Sequence, residues 1–531
     1  MGAVEATFGL LLAALIIALL AKRVDKPYPI ALVLGGVALA MIPGVPRIQP
    51  DPDLVFYLLL PPILTEAAYF TSWRDFWTYR RPIFLLAFGL VLATSALVAA
   101  LCVWLIPGMN WAAGFVLGAI VSPPDAAAAT AITRGVRLPR RIVQILEGES
   151  LVNDAAGLTI YRFAVLAIVT GAFSFSHAVA SFAWITLGGI GMGFLLGWGF
   201  VRIYPHLKDP DVEILATFVL SYLSYWAAEA VHASGVMSTV TAGLILGRHS
   251  AVIFSASGRI RGTAVWQSFT FLINVIIFTL IGLELPPVLQ SLSGYPVDML
   301  LLWNGAIVVG VILIRLLWVF LSGKIARLFP LRLRSMPDAP QGELLVVGWT
   351  GLRGVVSMAA ALALPHQTDS GFPFPYRNLI LLVTFSVILV TLLLQGLTLR
   401  SLICLVRLPE DRSSEEEQLK ARIHAAERVL ERLSELESQS AAPQVVVVRV
   451  RGYYEDRLTE MKARLEAETG TAPPPEPAGF QSLAEQRLWW EVAKVERTVI
   501  LALRRNSEIG DEAMHQIERD IDLLEARIVP R

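Results

Sequence analysis

The segment EGESLVND at residues 147–154 carries carboxylates, a hydroxyl and an amide within two helical turns of an apolar stretch. Residues three and four apart share a helix face, so Ser150 and Asp154 lie one turn apart, with Glu147 a turn below them. Glu149 and Asn153 form the neighbouring stripe. Oxygen ligands suit hard cations such as Na+. A carboxylate can instead hold a proton, so cation and proton compete for Asp154. Where the empty, charged site does not cross, that competition couples the two movements into exchange.

Further ionisable residues interrupt apolar runs: Glu66, Asp125, Arg162, Glu213, Arg315 and Arg353. Charges at membrane depth are costly and face a packed interior, a cavity or a partner. Glu213 is expected to reach the interface from the end of its span, and Arg162 to be structural. Glu229, His232, Glu284 and His366 read as interfacial. Arg315 and Arg353 are suited to balance buried acids or the exposed dipole of a broken helix end. That structural role is expected of both arginines ahead of direct ligation.

These residues need a membrane scaffold to hold them. The 531-residue chain is 55% hydrophobic, above the roughly 45–50% of soluble domains, and the excess lies before residue 408. About twenty apolar residues cross a bilayer, and the runs read as an all-α polytopic protein with about thirteen spans: 4–21, 28–42, 54–70, 82–106, 111–132, 142–170, 178–203, 211–231, 235–248, 263–284, 297–323, 343–365 and 377–402. The first lacks a basic segment ahead of it and reads as a retained span rather than a signal peptide. With the N-terminus outside, Lys22, Arg23, Arg74, Arg80, Arg81, Arg140, Arg202, Arg248, Lys324 and their basic neighbours fall inside. Only Arg47 and Arg377 fall outside. This is the positive-inside pattern, and it puts the C-terminal tail in the cytoplasm. Spans five and twelve carry breakers at matching places, Ser122-Pro123-Pro124-Asp125 and Gly351-Leu352-Arg353-Gly354. Paired interrupted spans point to a transport site between repeated halves.

The chain resembles the monovalent cation:proton antiporters, in their sodium/proton exchanger branch. The resemblance rests on EGESLVNDAAGL at 147–158, SPPDAAAATAI at 122–132, LPPILTEA at 60–67 and GLRGVVSMAAALALP at 351–365. It implies two inverted six-helix repeats with helices 5 and 12 interrupted, divided between a core and a dimerisation domain, hence a homodimer in the plasma membrane serving pH homeostasis. By motif, Asp154 matches the ion-binding aspartate, Asn153 its partner and Ser150 a cation ligand. Glu66 matches the acid of the third span, so that Na+ would sit at Asp154, Ser150 and Glu66. Asp125 matches the aspartate of a Thr-Asp-Pro motif, here replaced by Pro124-Asp125-Ala126. Glu149 and Arg353 match an acid–arginine pair and Arg315 a buried arginine of span eleven. An Asn-Asp pair, in place of Asp-Asp, is similar to the electroneutral members. Na+ is the expected cation, with Li+ or K+ as alternatives. K+/H+ exchange and sodium-coupled solute symport are the competing readings.

Residues 1–408 thus read as the exchanger domain and 409–531 as a helical cytoplasmic domain, with helices at 413–438, 444–468, 480–506 and 510–527 and a proline-rich linker at 471–479. Trp489-Trp490 reads as a buried aromatic pair. The formal net charge of zero gives no reason to expect a nucleic-acid partner. Cys102 and Cys404 are too few for a disulfide framework or a cysteine metal cluster. The spans lack an H-E-x-x-H motif or a catalytic Ser/His set, so no enzyme and no cofactor are expected.

Overall fold

The computed structural model describes residues 3–23, 28–42, 55–125, 138–170, 175–207, 209–292, 294–328, 340–369, 371–408, 413–438 and 444–468. The chain divides into two units, Met1–Glu410 and Asp411–Arg531.

The first unit is built of helices: α1 Ala3–Arg23, α2 Tyr28–Ala40, α3 Phe56–Phe70, the short α4 Trp73–Thr78, α5 Arg80–Leu105, α6 Trp111–Val121, α7 Arg140–Thr170, α8 Phe175–Ile203, α9 Pro210–Ala230, α10 Gly235–Ile253, α11 Ala256–Ser291, α12 Val297–Leu328, α13 Gln341–Trp349, α14 Val355–Leu362 and α15 Arg377–Val406. Six stretches among the described residues are long and apolar enough to cross a membrane, in α5, α7, α8, α11, α12 and α15. Shorter apolar helices occur in α1, α2, α3 and α6. Helix starts follow local chemistry. The Asn110 side chain accepts from the Ala113 amide, Ser234 from Met237 and Ser255 from Gly258, each pairing an amide that has no partner within its helix. Asp209 caps α9 ahead of Pro210, a residue pre-shaped for a first helical turn.

α5, α6 and α7 pack together with α12 to α15, whereas α8, α9 and α10 pack together and against α3. α11 lies along α2 and contacts α9 and α15. Three π-helical turns interrupt the α-helical ladder, at Val55–Leu59, Leu85–Leu90 and Thr391–Gln395. Such turns leave backbone groups unpaired within the helix. Here Tyr222 donates to the Leu58 carbonyl at 3.1 Å and Trp318 to the Leu85 carbonyl at 3.3 Å.

Glu213 does not reach the interface as expected. It is 2% exposed, and its carboxylate accepts from the amide and hydroxyl of Ser255 at the head of α11. The free N–H groups of a helix start supply the stabilisation that water would otherwise give. Arg162 pairs with Glu229 at 2.7 Å, joining α7 to α9.

In the second unit, α16 Ser413–Ser438 packs against α17 Gln444–Glu468. Ile423, Ala426 and Met461 are buried between them, with Leu458 and Leu465 alongside. Lys462 pairs with Glu427 at 2.8 Å and Arg451 with Glu437 at 2.5 Å. The helices expected at 480–506 and 510–527, Trp489-Trp490 and the linker lie outside the described residues.

Candidate cation site

Two broken helices meet at the centre of the first unit. α6 stops at Val121, before Pro123 and Pro124, neither of which can donate a backbone hydrogen bond. α13 stops at Trp349, and α14 resumes at Val355. The gaps are stitched to one another. The Asp125 amide donates to the Leu352 carbonyl at 2.7 Å. Arg353 donates through Nε to the Val121 carbonyl at 2.9 Å and through its guanidinium to the Gly351 carbonyl. Its own amide donates to Thr391 Oγ1 at 3.2 Å. A cation here answers both the unpaired carbonyls and the negative dipole end of α6. Gly354 is required by close approach, since a Cβ there would collide with the Asp125 carboxylate.

Asn153 is wholly buried and donates from Nδ2 to the Pro124 carbonyl at 2.9 Å. It braces the first break from behind and is not among the residues lining the cavity. Glu149 corrects an expectation. The resemblance paired it with Arg353, but the structure pairs it with Arg315, Nη1 to Oε1 at 2.6 Å and Nη2 to Oε2 at 2.9 Å. Arg353 is committed to the carbonyls of the breaks, while Arg315 presents its planar fork to the acid, the geometry of a bidentate pair.

In front of the breaks lies a cavity of about 200 Å³. α7 contributes Glu147, Ser150 and Asp154; α3 contributes Glu66; the first break contributes Pro123, Pro124 and Asp125; and the second contributes Gly354. Four of the expected site residues, Asp154, Ser150, Glu66 and Asp125, therefore open onto one space. Asp154 is 7% exposed. Thr270 and Asn274 of α11 and Ser357 of α14 also line it and were not singled out from the sequence. The four-residue spacing of Thr270 and Asn274 in an apolar span was the signal available. Chemically, the space offers carboxylate, hydroxyl and amide groups, as a partly dehydrated monovalent cation requires.

The profile described as "Sodium/hydrogen exchanger, transmembrane" matches residues 10–404. The chain belongs to the sodium/hydrogen exchanger family. This exchanger is a transporter of Na+ and H+ rather than an enzyme, and a multi-pass membrane protein. It is 32% identical to an uncharacterised Na+/H+ exchanger of Mycobacterium tuberculosis, covering 94% of this chain and 92% of the relative. It is also 32% identical to a sodium, potassium, lithium and rubidium/H+ antiporter of Bacillus subtilis, over 70% of this chain and 57% of that protein. Among solved structures, the sodium proton antiporter of Methanocaldococcus jannaschii at pH 8 shares the fold, with a TM-score of 0.60 at 22% identity, covering 76% of this exchanger and 98% of that chain.

Proposed function

We propose that the protein exchanges one Na+ for one H+ across the plasma membrane, by competition of the two for Asp154. The observation that carries this is the convergence of Asp154, Ser150 and Glu66 on one cavity bounded by both helix breaks. Na+ sits against Asp154, Ser150 and Glu66, with Asp125 at the crossing. A proton on Asp154 removes the charge that holds the cation, and a cation excludes the proton. Asn153, an amide where a second carboxylate would add charge, leaves one titrating group on that turn, so the exchange is electroneutral. Glu149, Arg315 and Arg353 hold the frame.

In this reading the thirteen apolar segments cross the membrane as two inverted six-helix repeats, the N-terminus is outside, residues 409–531 form a cytoplasmic domain, and the protein works as a homodimer in pH homeostasis. K+ transport is the second reading, favoured by the printed substrates of the Bacillus subtilis relative.

Purified protein in liposomes, given Na+, Li+ or K+ gradients with and without an imposed potential, tests the proposal. Na+-driven proton flux should be insensitive to potential and absent in Asp154→Asn with the fold retained. Exchange by Asp154→Asn would overturn the competition, and potential-driven flux would overturn electroneutrality.

A further inference from the structure

The exposed tryptophans of the first unit differ between its two ends. Trp73 and Trp77 are one turn apart on α4, and their rings stack at 5.9 Å with 15° between planes. The Arg80 guanidinium lies 5.2 Å over Trp77, and that of Arg248, from α10, lies 5.7 Å over Trp73. The order is arginine, tryptophan, tryptophan, arginine. A third such pair, Arg202 over Trp198 at 4.2 Å, closes the corresponding end of α8. At the opposite ends of α5, α6 and α9, Trp104, Trp111 and Trp226 are more exposed, and among the described residues no arginine stands over them.

Indole rings favour the boundary between hydrocarbon and headgroups. An arginine lying flat on an indole still presents the N–H edge of its guanidinium, which matches two phosphate oxygens at once. α4 lies between two apolar helices, α3 and α5, with both tryptophans exposed. Its one acid, Asp75, is engaged by Arg140 of α7 at 2.8 Å, which leaves the stack its positive charge. We propose that Trp73, Trp77, Arg80 and Arg248 form a binding site for the phosphate headgroup of an anionic phospholipid. On the orientation given above, the lipid belongs to the cytoplasmic leaflet, where anionic lipids attract basic groups.

The site reaches the exchange machinery through helices already described. Arg248 closes α10, and Asp75 ties α4 to the head of α7, the helix that carries Asp154. A lipid held across α4 and α10 therefore fixes the spacing between helices of the two packed groups, and the exchange rate follows the anionic lipid content of the membrane.

Native mass spectrometry of the full chain with phosphatidylglycerol and phosphatidylcholine tests the binding. Wild type should retain phosphatidylglycerol selectively, and Arg80→Gln and Arg248→Gln should each weaken retention about fivefold, the contribution of one basic side chain near an anionic surface. Exchange in liposomes should rise with phosphatidylglycerol in wild type and stay flat in Arg80→Gln/Arg248→Gln and in Trp73→Leu/Trp77→Leu, with all three equal in pure phosphatidylcholine, which shows that the variants are folded. Unselective retention by wild type, or unchanged retention by the double arginine variant, overturns the site. Retention is read without reference to leaflet, so a wrong orientation would leave it intact and fail separately.

Discussion

Arg315 grips Glu149 with both prongs of its guanidinium, and neither side chain is more than 1% exposed. The pair stands one residue before Ser150, in the cavity wall, and ties α12 to α7. Removing one member strands the other charge at a cost of about 3–5 kcal/mol. Glu149→Gln and Arg315→Met should each lower the unfolding temperature in detergent sharply. The double variant Glu149→Leu/Arg315→Met should recover most of the loss, because no lone charge then remains. Additive losses would show that the pairing itself contributes nothing.

Gly354 faces the Asp125 carboxylate with no room for a methyl group. Gly354→Ala must displace Asp125 or pull the Asp125 amide from the Leu352 carbonyl, an overpacking cost of about 1–3 kcal/mol. Exchange should fall by at least about tenfold, since 1.4 kcal/mol corresponds to that factor. Wild-type rates in Gly354→Ala liposomes would mean that the crossing is not rigid.

Asn274 lines the cavity from α11, a helix outside the group that carries Asp154. Asn274→Leu removes a polar group from a partly dehydrated space, a loss of about 1–3 kcal/mol for the interactions it made. The half-saturating Na+ concentration should rise about tenfold with the maximal rate little changed. A lowered maximal rate at unchanged half-saturation would place Asn274 in the moving step instead.

Much of the site was legible because its chemistry is local. Glu147, Ser150 and Asp154 sit on one face of α7 by spacing alone, and both breaks fall where helix-breaking residues stand in the chain. Pairings between distant helices were not legible. Arg315 and Arg353 are both buried cations with the same apparent claim on Glu149. Only the path of the second break, which gives Arg353 the carbonyls of Val121 and Gly351, decides between them. Glu213 was misjudged for a related reason. Its partner is the start of α11, forty-two residues on, and sequence position near a span end said nothing of that amide and hydroxyl.

In the second unit, the hydrogen bond from Lys462 holds the Glu427 carboxyl below the usual carboxylate range, with the charges of Lys462 and His424 acting in the same direction. A group lowered on folding adds stability above its unfolded value, and the contribution disappears as acid protonates the folded form. The α16–α17 contact should therefore loosen as pH falls below about 4.5, the ordinary glutamate value. Amide exchange on the full chain should show faster labelling of residues 423–430 in acid. Lys462→Met should remove the pH step, and an undiminished step in that variant would assign it to another group.

The π-helical turns imply something about insertions and deletions. Each holds one residue more than an α-helix would use, and an α-helix turns by about 100° per residue. Deleting any one residue within Leu85–Leu90 would restore an unbroken α-helix and rotate Val91–Leu105 by about that angle. Gly114 and Gly118 of α6, which now lie against the backbone of Ala99 and Ser95, would then meet the wrong face of α5. Chains related by descent can exchange side chains freely along this helix, but its length is locked at the turn.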